Sequence, residues 1–373
     1  MVEQLLALPI EKKIGQIFFI GIPSTEIGSE TKELLREIAP GGVCLFARNI
    51  REPVQTRKLT EDIRDIISVE PILSLDQEGG LVDRLRRVIA PMSAPSALKT
   101  PADAKSQAEI TAEVVRILGF NMNFAPVVDV IDEARANSFN GLYSRTFGKS
   151  KSEVVEYAEQ YLDGLQENGC LGCLKHFPGL GASQVDSHEE QPNVYLTRDE
   201  LFESDLIPYR RLFPTEKVYS VMNAHASFPR FDLQETDNNG KLLPSSLSYN
   251  IVTKLLREEL GFEGLAITDD LEMGAIVKNY GIGEACQMAV LAGEDMLAIC
   301  ANPESIREGY NAVTDAVKTG RISESRIDES VRRIARLKSL MQPPLPFDAE
   351  RLRFLSDKIS QLNNKTTEDA YIV

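Results

Sequence analysis

Short, almost continuously apolar runs alternate along this chain with longer amphipathic stretches. Runs of this kind are typical of parallel strands that are covered on both faces of a sheet. They occupy residues 14–22, 41–47, 71–77, 122–130, 170–177, 218–226, 264–270 and 295–299. Eight such strands, each followed by a helix or a long connection, predict an α/β fold, a (β/α)8 barrel of the TIM type.

Three of the intervening stretches carry helix start and stop signals. Residues 29–39 begin at Ser29 as a candidate cap, residues 150–169 run from a serine to Gly169, and residues 246–262 again begin with serine and stop near Gly261. A doubly wound open sheet is the structural alternative. The first run leads into "GIPSTEIGSE", which lacks the G-x-G-x-x-G of a dinucleotide site.

The predicted barrel ends near residue 340. The segment "QPPLPFD" at 342–348 stops the preceding helix, because proline cannot continue it. We therefore expect residues 1–340 to form the catalytic barrel. Residues 341–373 are expected to hold one further helix and a frayed polar tail.

Charge and composition narrow the class of protein. The 373 residues carry a formal net charge of −15, which disfavours nucleic acid as a partner. No apolar stretch approaches the ~20 residues needed to span a bilayer. The N-terminus, with Glu3, lacks the features of a signal peptide. Together with an odd count of five cysteines, this predicts a cytoplasmic protein. We expect it to act as a monomer. We interpret Cys170 and Cys173 as small apolar residues of a buried strand.

Polar side chains gather where five successive predicted strands end. Any one of them is most simply a helix cap or a satisfied strand-end group, but the carboxyl-terminal ends of barrel strands form the active-site face. Taken together they predict a site at the barrel mouth. They are Asp76, Asp129, Lys175, His176, Asn223, His225, Asp269 and Asp270.

We consider three kinds of chemistry for the barrel mouth. A metal site is disfavoured, because no H-x-H pair lies on an early strand. A phosphate site would want glycine-rich turns late in the chain, and "GIGEA" at 281–285 is a weak match. Glycosyl transfer needs a carboxylate and a proton donor, and Asp269 fits the first role. The charged groups that suit sugar hydroxyls are Asp76, Arg84, Arg145 and Lys175.

Seven sequence stretches carry a resemblance to a known family. They are "SLDQEGGLVDRL", "NMNFAPVVDV", "SRTFG", "LKHFPGLGASQVDSH", "MNAHASFP", "PSSLS" and "GLAITDDLEMGAI". With these motifs, in this order over about residues 10–340, the chain resembles the family 3 glycoside hydrolases. Within them it is most similar to the single-domain bacterial β-N-acetylglucosaminidases, or β-hexosaminidases, of peptidoglycan recycling.

The resemblance implies roles for individual residues. It implies that Asp269 is the nucleophile of a retaining hydrolase, and that His188 is the proton donor with Asp186 as its partner. It implies that the enzyme removes terminal N-acetylglucosamine from muropeptides and needs no metal or cofactor. The residues matching the sugar-binding groups, with Met273 lining the site, are Asp76, Arg84, Arg145, Lys175, His176 and Met273.

Physical chemistry supports these roles without deciding all of them. Neighbours in a strand point to opposite sides, so only one of Asp269 and Asp270 faces the mouth squarely, and the sequence does not say which. A histidine, with a pKa of about 6.5, can give and take a proton near neutrality. Glu189 and Glu190 adjoin His188 and are less favoured candidates for the acid.

Two positions depart from the pattern of many family members. Leu180 stands where K-H-F-P-G-H-G has its second histidine, and Leu81 stands where D-Q-E-G-G-R-V has arginine. We expect these changes to affect loop packing and aglycone preference, not activity itself. The alternatives are a family 3 β-glucosidase or β-xylosidase, an N-acetylglucosaminide phosphorylase, and an inactive barrel that only binds glycans.

Overall fold

Each of the eight apolar runs contains a strand. The computed structural model describes residues 1–135, 141–184 and 190–368, with side chains as far as Lys365. Its strands, in chain order, are β1 (Phe18–Gly21), β2 (Gly42–Cys44), β3 (Ile72–Leu75), β4 (Gln77–Gly79), β5 (Val82–Asp83), β6 (Met122–Asn123), β7 (Leu174–Phe177), β8 (Ser220–Asn223), β9 (Leu265–Asp270) and β10 (Met296–Ile299).

Eight of these strands form one parallel sheet that curls into a ring. Their order is β6-β3-β2-β1-β10-β9-β8-β7, while β4 and β5 form a separate antiparallel hairpin. Parallel bridges Met122↔Leu171 and Val127↔Lys175 join the two ends of the sheet. The predicted α/β barrel of the TIM type is confirmed.

Helices surround the barrel. They are α1 (Val2–Leu6), α2 (Ile10–Gln16), α3 (Ser29–Ile38), α4 (Pro53–Ile66), α5 (Pro101–Ile117), α6 (Lys151–Glu167), α7 (Arg198–Glu203), α8 (Ile207–Leu212), α9 (Gly274–Val277), α10 (Ile282–Ala292), α11 (Pro303–Lys318), α12 (Glu324–Leu340) and α13 (Ala349–Glu368). Short 3₁₀ turns lie at Pro95–Ala97, Phe213–Thr215 and Ser245–Leu247, and a π-helix spans Asn250–Glu259.

Two of the three predicted helices need correction in detail. The helix over 150–169 is confirmed, with the Ser150 hydroxyl accepting the N–H of Glu153. Helix α3 starts at Ser29, whose side chain does not cap it, because Gly28 occupies the cap position. The third stretch winds as a π-helix, with the N–H of Leu260 donating to the carbonyl of Leu255. Apolar spacing over ten residues does not distinguish that winding from an α-helix.

The chain beyond residue 340 returns to the barrel wall. Helix α13 packs on α5, where Arg351 pairs with Glu113 and Lys365 with Asp103. Its apolar side chains Leu352, Leu355 and Ile359 are buried in the same core as the strands. Residues 369–373 of the predicted frayed tail lie outside the described residues. No helix in the described part has both the length and the apolar composition to cross a membrane.

A buried carboxyl group lies inside the barrel, away from the mouth. Glu294 is fully buried, and the Nδ2 of Asn223 donates to both of its oxygens at 2.8 and 2.9 Å. Burial, with the neighbouring Asp295, raises the pKa of Glu294 to about 8. Since an unfolded glutamate has a pKa near 4.3, folding raises the proton affinity of this group.

We therefore expect Glu294 to make stability fall as pH rises. Below about pH 4.5 the carboxyl is protonated in both states, and between there and pH 8 the unfolded state alone releases the proton. The Glu294→Gln variant is expected to lack this slope, which amounts to on the order of 3 kcal/mol between pH 5 and pH 8. Urea unfolding of parent and variant at the two pH values measures it.

The matched control is Glu263→Gln, which makes the same substitution at an exposed position. Its pH slope is expected to equal that of the parent. If Glu294→Gln kept the parent slope, a protonated Glu294 in the folded barrel would be ruled out.

Candidate active site

A cavity of about 440 Å³ opens at the carboxyl-terminal ends of the barrel strands. Its walls combine charged groups with apolar side chains, as small-molecule pockets commonly do. The lining residues are Cys44, Phe46, Asp76, Glu78, Val82, Arg84, Phe124, Arg145, Lys175, His176, Met222, Asp269, Asp270, Met273, Ala298 and Cys300. We call this space the mouth cavity.

A buried ionic cluster forms one wall of the mouth cavity. The Nζ of Lys175 lies 2.8 Å from Oδ1 of Asp76 and 2.6 Å from Oε1 of Glu78. Arg145 donates two hydrogen bonds to Glu78, at 2.8 and 2.9 Å. Burial alone would raise the pKa of Glu78, but Lys175 and Arg145 outweigh it and hold that pKa well below its usual range. The cluster therefore carries full charges within a largely buried wall.

An aspartate orients the imidazole of His176. The Nδ1–H of His176 donates to Asp129 at 2.8 Å, and the guanidinium of Arg145 approaches Nε2 at 3.5 Å. The other oxygen of Asp129 accepts the N–H of Leu180 at 2.6 Å. A Cβ at Gly181 would lie 2.1 Å from the carbonyl oxygen of Val130, so only glycine fits there. Asp129 thus positions both the His176 ring and the start of the loop that follows β7.

The two aspartates at the end of β9 have different environments. Oδ1 of Asp269 accepts the N–H of Asp270 at 2.8 Å. Burial opposes ionisation of Asp269, but His176, this N–H and Lys175 prevail and lower its pKa. Oδ1 of Asp270 accepts the N–H of Glu272, and burial raises the pKa of Asp270 to about 7. Of these two aspartates, Asp269 is therefore the one that stays ionised at neutral pH.

His225 holds the end of β9 in place through a hydrogen bond. Its ring is fully buried, with Nδ1 2.7 Å from the hydroxyl of Ser246 and Nε2 3.1 Å from the carbonyl oxygen of Asp270. A carbonyl only accepts, so Nε2 carries the proton and the hydroxyl donates to Nδ1. Burial lowers the pKa of His225, which keeps the ring neutral.

The hairpin β4–β5 contributes Glu78 and Val82 to the lining of the mouth cavity. Arg84 follows the hairpin, lies 3.6 Å from Asp76, and faces the ring of Phe46 at 5.7 Å. Its Nε is buried and has no hydrogen-bond partner in the described part of the chain. Leu81, at the tip, is 70% exposed, whereas Leu180 is only 5% exposed and packs into the core. The two leucines that depart from the family pattern thus occupy very different positions.

The mouth cavity brings together most of the residues that the sequence singles out. These are Asp76, Arg84, Arg145, Lys175, His176, Asp269 and Met273. Asp186 and His188 lie outside the described residues. Asn223, expected at the mouth, instead contacts Glu294 inside the barrel, because its side chain points into the barrel interior.

Sequence reasoning did not assign roles to Glu78, Asp129, His225 or Phe46. Glu78 sits in the hairpin two residues after Asp76, a position that strand-end reasoning does not reach. Within the described ranges, no group of three or more His, Cys, Asp or Glu side chains is arranged to hold a metal ion.

The mouth of this (β/α) barrel carries Asp269, the imidazole of His176 and a wall of lysine, arginine and carboxylate groups. This arrangement fits a barrel of the sugar-hydrolysing class. The chain belongs to the glycosyl hydrolase family 3, because residues 9–337 match the model of the family's N-terminal domain. The prediction of a family 3 glycoside hydrolase is confirmed.

Similar proteins carry consistent names. A beta-hexosaminidase A of Pseudoalteromonas piscicida is 32% identical over 84% of this chain, which spans 56% of that protein's length. A beta-hexosaminidase of Alkalilimnicola ehrlichii is 32% identical over 77% of this chain and 81% of its own length. The structure of a family 3 beta-N-acetylglucosaminidase from Paenibacillus sp. str. FPU-7 superposes with a TM-score of 0.85 at 34% identity, covering 95% of this chain and 69% of that one.

Proposed function

We propose that this protein is a retaining exo-β-N-acetylglucosaminidase. It removes terminal β-linked N-acetylglucosamine from peptidoglycan-derived muropeptides through a covalent glycosyl-enzyme on Asp269. His188, partnered by Asp186, is the proposed acid and base. The observation that carries the proposal is the partly buried Asp269, which lines the mouth cavity beside a wall of sugar-binding charges and whose lowered pKa keeps it ionised.

The proposed reaction proceeds in two displacements. A carboxylate oxygen of Asp269 bonds to the anomeric carbon as the bond to the leaving oxygen breaks, and His188 transfers its proton to that oxygen. Water then enters, His188 takes its proton, and the new bond to the anomeric carbon releases Asp269. The sugar leaves with its original anomeric configuration, because the carbon has been inverted twice.

The charged wall suits a neutral, hydroxyl-rich ligand. Lys175 and Arg145 can donate hydrogen bonds to sugar oxygens, while Asp76 accepts them from sugar hydroxyls. Because the cations and carboxylates largely neutralise one another, the wall attracts no strong counter-ion. Forked polar contacts of this kind fix the ring so that its anomeric carbon meets Asp269.

Two neighbours of Asp269 hold it in place. His225 fastens the carbonyl of Asp270, and Asp270 itself accepts the N–H groups of Glu272 and Cys300. Neither group needs to exchange protons with substrate in this mechanism. We assign both to positioning, which leaves the oxygen of Asp269 as the nucleophile.

The proposal also covers the oligomeric state, the cellular compartment and the extent of the catalytic unit. The enzyme is proposed to act as a monomer. The five cysteines are free and buried, in keeping with a reducing cytoplasm. Residues 1–340 form the proposed catalytic unit, with the segment from 341 packed against it.

Replacing the proposed acid should separate substrates by their leaving groups. We expect His188→Ala to lower kcat/KM by about 10²- to 10⁴-fold for alkyl or sugar aglycones, which need a proton to depart. Nitrophenyl glycosides, whose phenolate leaves unaided, are expected to lose far less in the first step. Steady-state and burst kinetics on both substrates measure the difference. An equal loss on both would assign His188 to positioning instead.

A panel of aryl glycosides tests the function itself. We expect hydrolysis of the β-N-acetylglucosaminide, with much slower turnover of the β-glucoside and β-xyloside, and retention of anomeric configuration by NMR. Preference for the glucoside or xyloside would favour the other family activities. Formation of sugar 1-phosphate on adding phosphate would favour a phosphorylase, and no turnover at all would favour a glycan-binding barrel.

A further inference from the structure

Strand β9 has an irregular register beside the proposed nucleophile. It pairs Ile267 with Met296 but Asp270 with Ala298, so β9 holds one residue more than β10 over this interval. A bulge of this kind interrupts the ladder of backbone hydrogen bonds and can turn a side chain towards a site. Asp269 lies within the bulge. The end of β9 therefore depends on hydrogen bonds from outside the β9–β10 ladder.

A histidine that follows the neighbouring strand supplies one of these hydrogen bonds. His225 lies two residues after β8, and its Nε2–H donates to the carbonyl of Asp270 at 3.1 Å. The N–H of Asp270 in turn donates to Oδ1 of Asp269 at 2.8 Å. Rotation of a carboxylate about its Cβ–Cγ bond has only a broad energy minimum, so this second hydrogen bond sets the plane of the Asp269 carboxylate. His225 thus acts on the nucleophile through the backbone of Asp270.

The 3₁₀ turn Ser245–Leu247 places a hydroxyl against the other nitrogen of this ring. Oγ of Ser246 lies 2.7 Å from Nδ1 of His225, and both residues are fully buried. A hydroxyl can donate or accept, and a neutral imidazole can hold its proton on either nitrogen. Because the carbonyl of Asp270 only accepts, one pattern satisfies all three groups. In that pattern Ser246 donates to Nδ1, and the proton of the ring stays on Nε2.

Backbone hydrogen bonds hold this turn on both sides of His225. The N–H of Ser245 donates to the carbonyl of Ala226 at 2.7 Å, and the N–H of Ser246 donates to the carbonyl of Ala224 at 3.1 Å. The turn belongs to the stretch "PSSLS", which has no role in the mechanism above. Since these bonds use main-chain groups, replacing either serine by alanine leaves them intact.

We propose that Ser246 is a positioning residue, which holds His225 in the Nε2–H tautomer and thereby fixes the carboxylate of Asp269 against the anomeric carbon. The inference rests on the proposed function. Ser246 is not among the described residues that line the mouth cavity, so it acts through His225 and not on the substrate. No other donor of the described residues contacts Nδ1 of His225. Without the hydroxyl the ring can turn or move its proton, which releases the carbonyl of Asp270.

Two adjacent serines give a matched kinetic test. We expect Ser246→Ala to lower kcat/KM about 10- to 100-fold on both a nitrophenyl and a methyl β-N-acetylglucosaminide, because a displaced nucleophile slows the first displacement whatever the leaving group. The control is Ser245→Ala, which removes a similarly buried hydroxyl that donates to the carbonyl of Ala224 at 2.6 Å. It is expected to keep kcat/KM within about threefold of the parent. Thermal melts compare the stabilities of the two variants.

NMR spectra of the ring nitrogens test the tautomer separately from activity. The chain has three histidines, and His176→Gln and His188→Ala identify the other two signals. In long-range ¹H–¹⁵N spectra of the parent we expect His225 to show a protonated Nε2 and an unprotonated, hydrogen-bonded Nδ1. We expect Ser246→Ala to shift the Nδ1 signal, and Ser245→Ala to leave it in place.

The outcomes separate the two proposals. If the parent hydrolyses neither glycoside, the proposed function fails, and the role of Ser246 fails with it. If the parent is active, the function stands, and two results overturn the role of Ser246. One is a loss in Ser246→Ala no larger than that in Ser245→Ala, and the other is a parent ring with its proton on Nδ1. If Ser246→Ala does not fold, Ser246→Cys, whose thiol is a weak donor, replaces it under the same criteria.

Discussion

Replacing Asp269 by alanine is expected to lower kcat on an aryl β-N-acetylglucosaminide by on the order of 10⁴-fold or more, while the protein stays folded. The variant lacks the atom that bonds to the anomeric carbon, so both displacements are lost together. The fold should survive, because Asp269 accepts a local backbone hydrogen bond and forms no long-range ion pair with any residue of the described ranges. Single-turnover kinetics and a thermal melt measure the two effects.

The neighbouring aspartate supplies the control for that prediction. Asp270→Asn keeps an oxygen that can accept the N–H groups of Glu272 and Cys300. We expect it to retain activity within about tenfold of the parent, since its carboxyl group holds the strand end rather than the substrate. If Asp270→Asn lost as much as Asp269→Ala, or if Asp269→Ala kept parental kcat, the assignment of the nucleophile would be wrong.

Replacing Lys175 by methionine is expected to destabilise the protein by about 3–5 kcal/mol and to abolish most activity. Lys175 is 2% exposed and is the cation shared by Asp76 and Glu78. Without it, Asp76 loses its closest partner and Glu78 relies on Arg145 alone. One or both carboxyls must then take up a proton or remain charged without compensation. Urea unfolding gives the stability, and KM with kcat gives the loss at the site.

The matched control for Lys175 is another lysine in an ion pair. Lys105→Met breaks the pair with Glu167 on the surface, which is expected to cost less than about 1 kcal/mol and to leave activity unchanged. Comparable stability losses in the two variants would mean that Lys175 acts as an ordinary surface charge. A stable but inactive Lys175→Met protein would instead mean that the cluster serves activity and does not stabilise the fold.

The fold could be predicted because its signal is distributed over the whole chain. Each parallel strand is buried on both faces, so each appears as an apolar run between amphipathic helices. Whether a helical stretch forms an α-helix or a π-helix has no comparable signal in the sequence. The stretch that ends in Gly261 has the apolar spacing of an α-helix, yet Asn250–Glu259 forms a π-helix. The missing cap at Ser29 likewise depends on where Gly28 places the backbone.

The sequence predicts only those residues of the candidate site that lie at the ends of strands. Asp76, Lys175, His176 and Asp269 end strands, and they line one cavity. Glu78 was missed because it reaches the mouth from a hairpin that follows β3. Asp129 was placed at the mouth by its strand end, but strand position does not show that its task is to hold His176. The two adjacent aspartates, Asp269 and Asp270, differ in pKa because of burial and hydrogen bonds. The sequence Asp-Asp alone does not show this difference.

The most direct test of the account is to trap the covalent intermediate. A fluorinated N-acetylglucosamine donor with a good leaving group slows the second displacement and lets the glycosyl-enzyme accumulate. We predict a single adduct per chain, mapped by peptide mass spectrometry to Asp269, and no adduct in Asp269→Ala. An adduct on another residue such as Asp270, or full turnover with inversion and no adduct, would contradict the account.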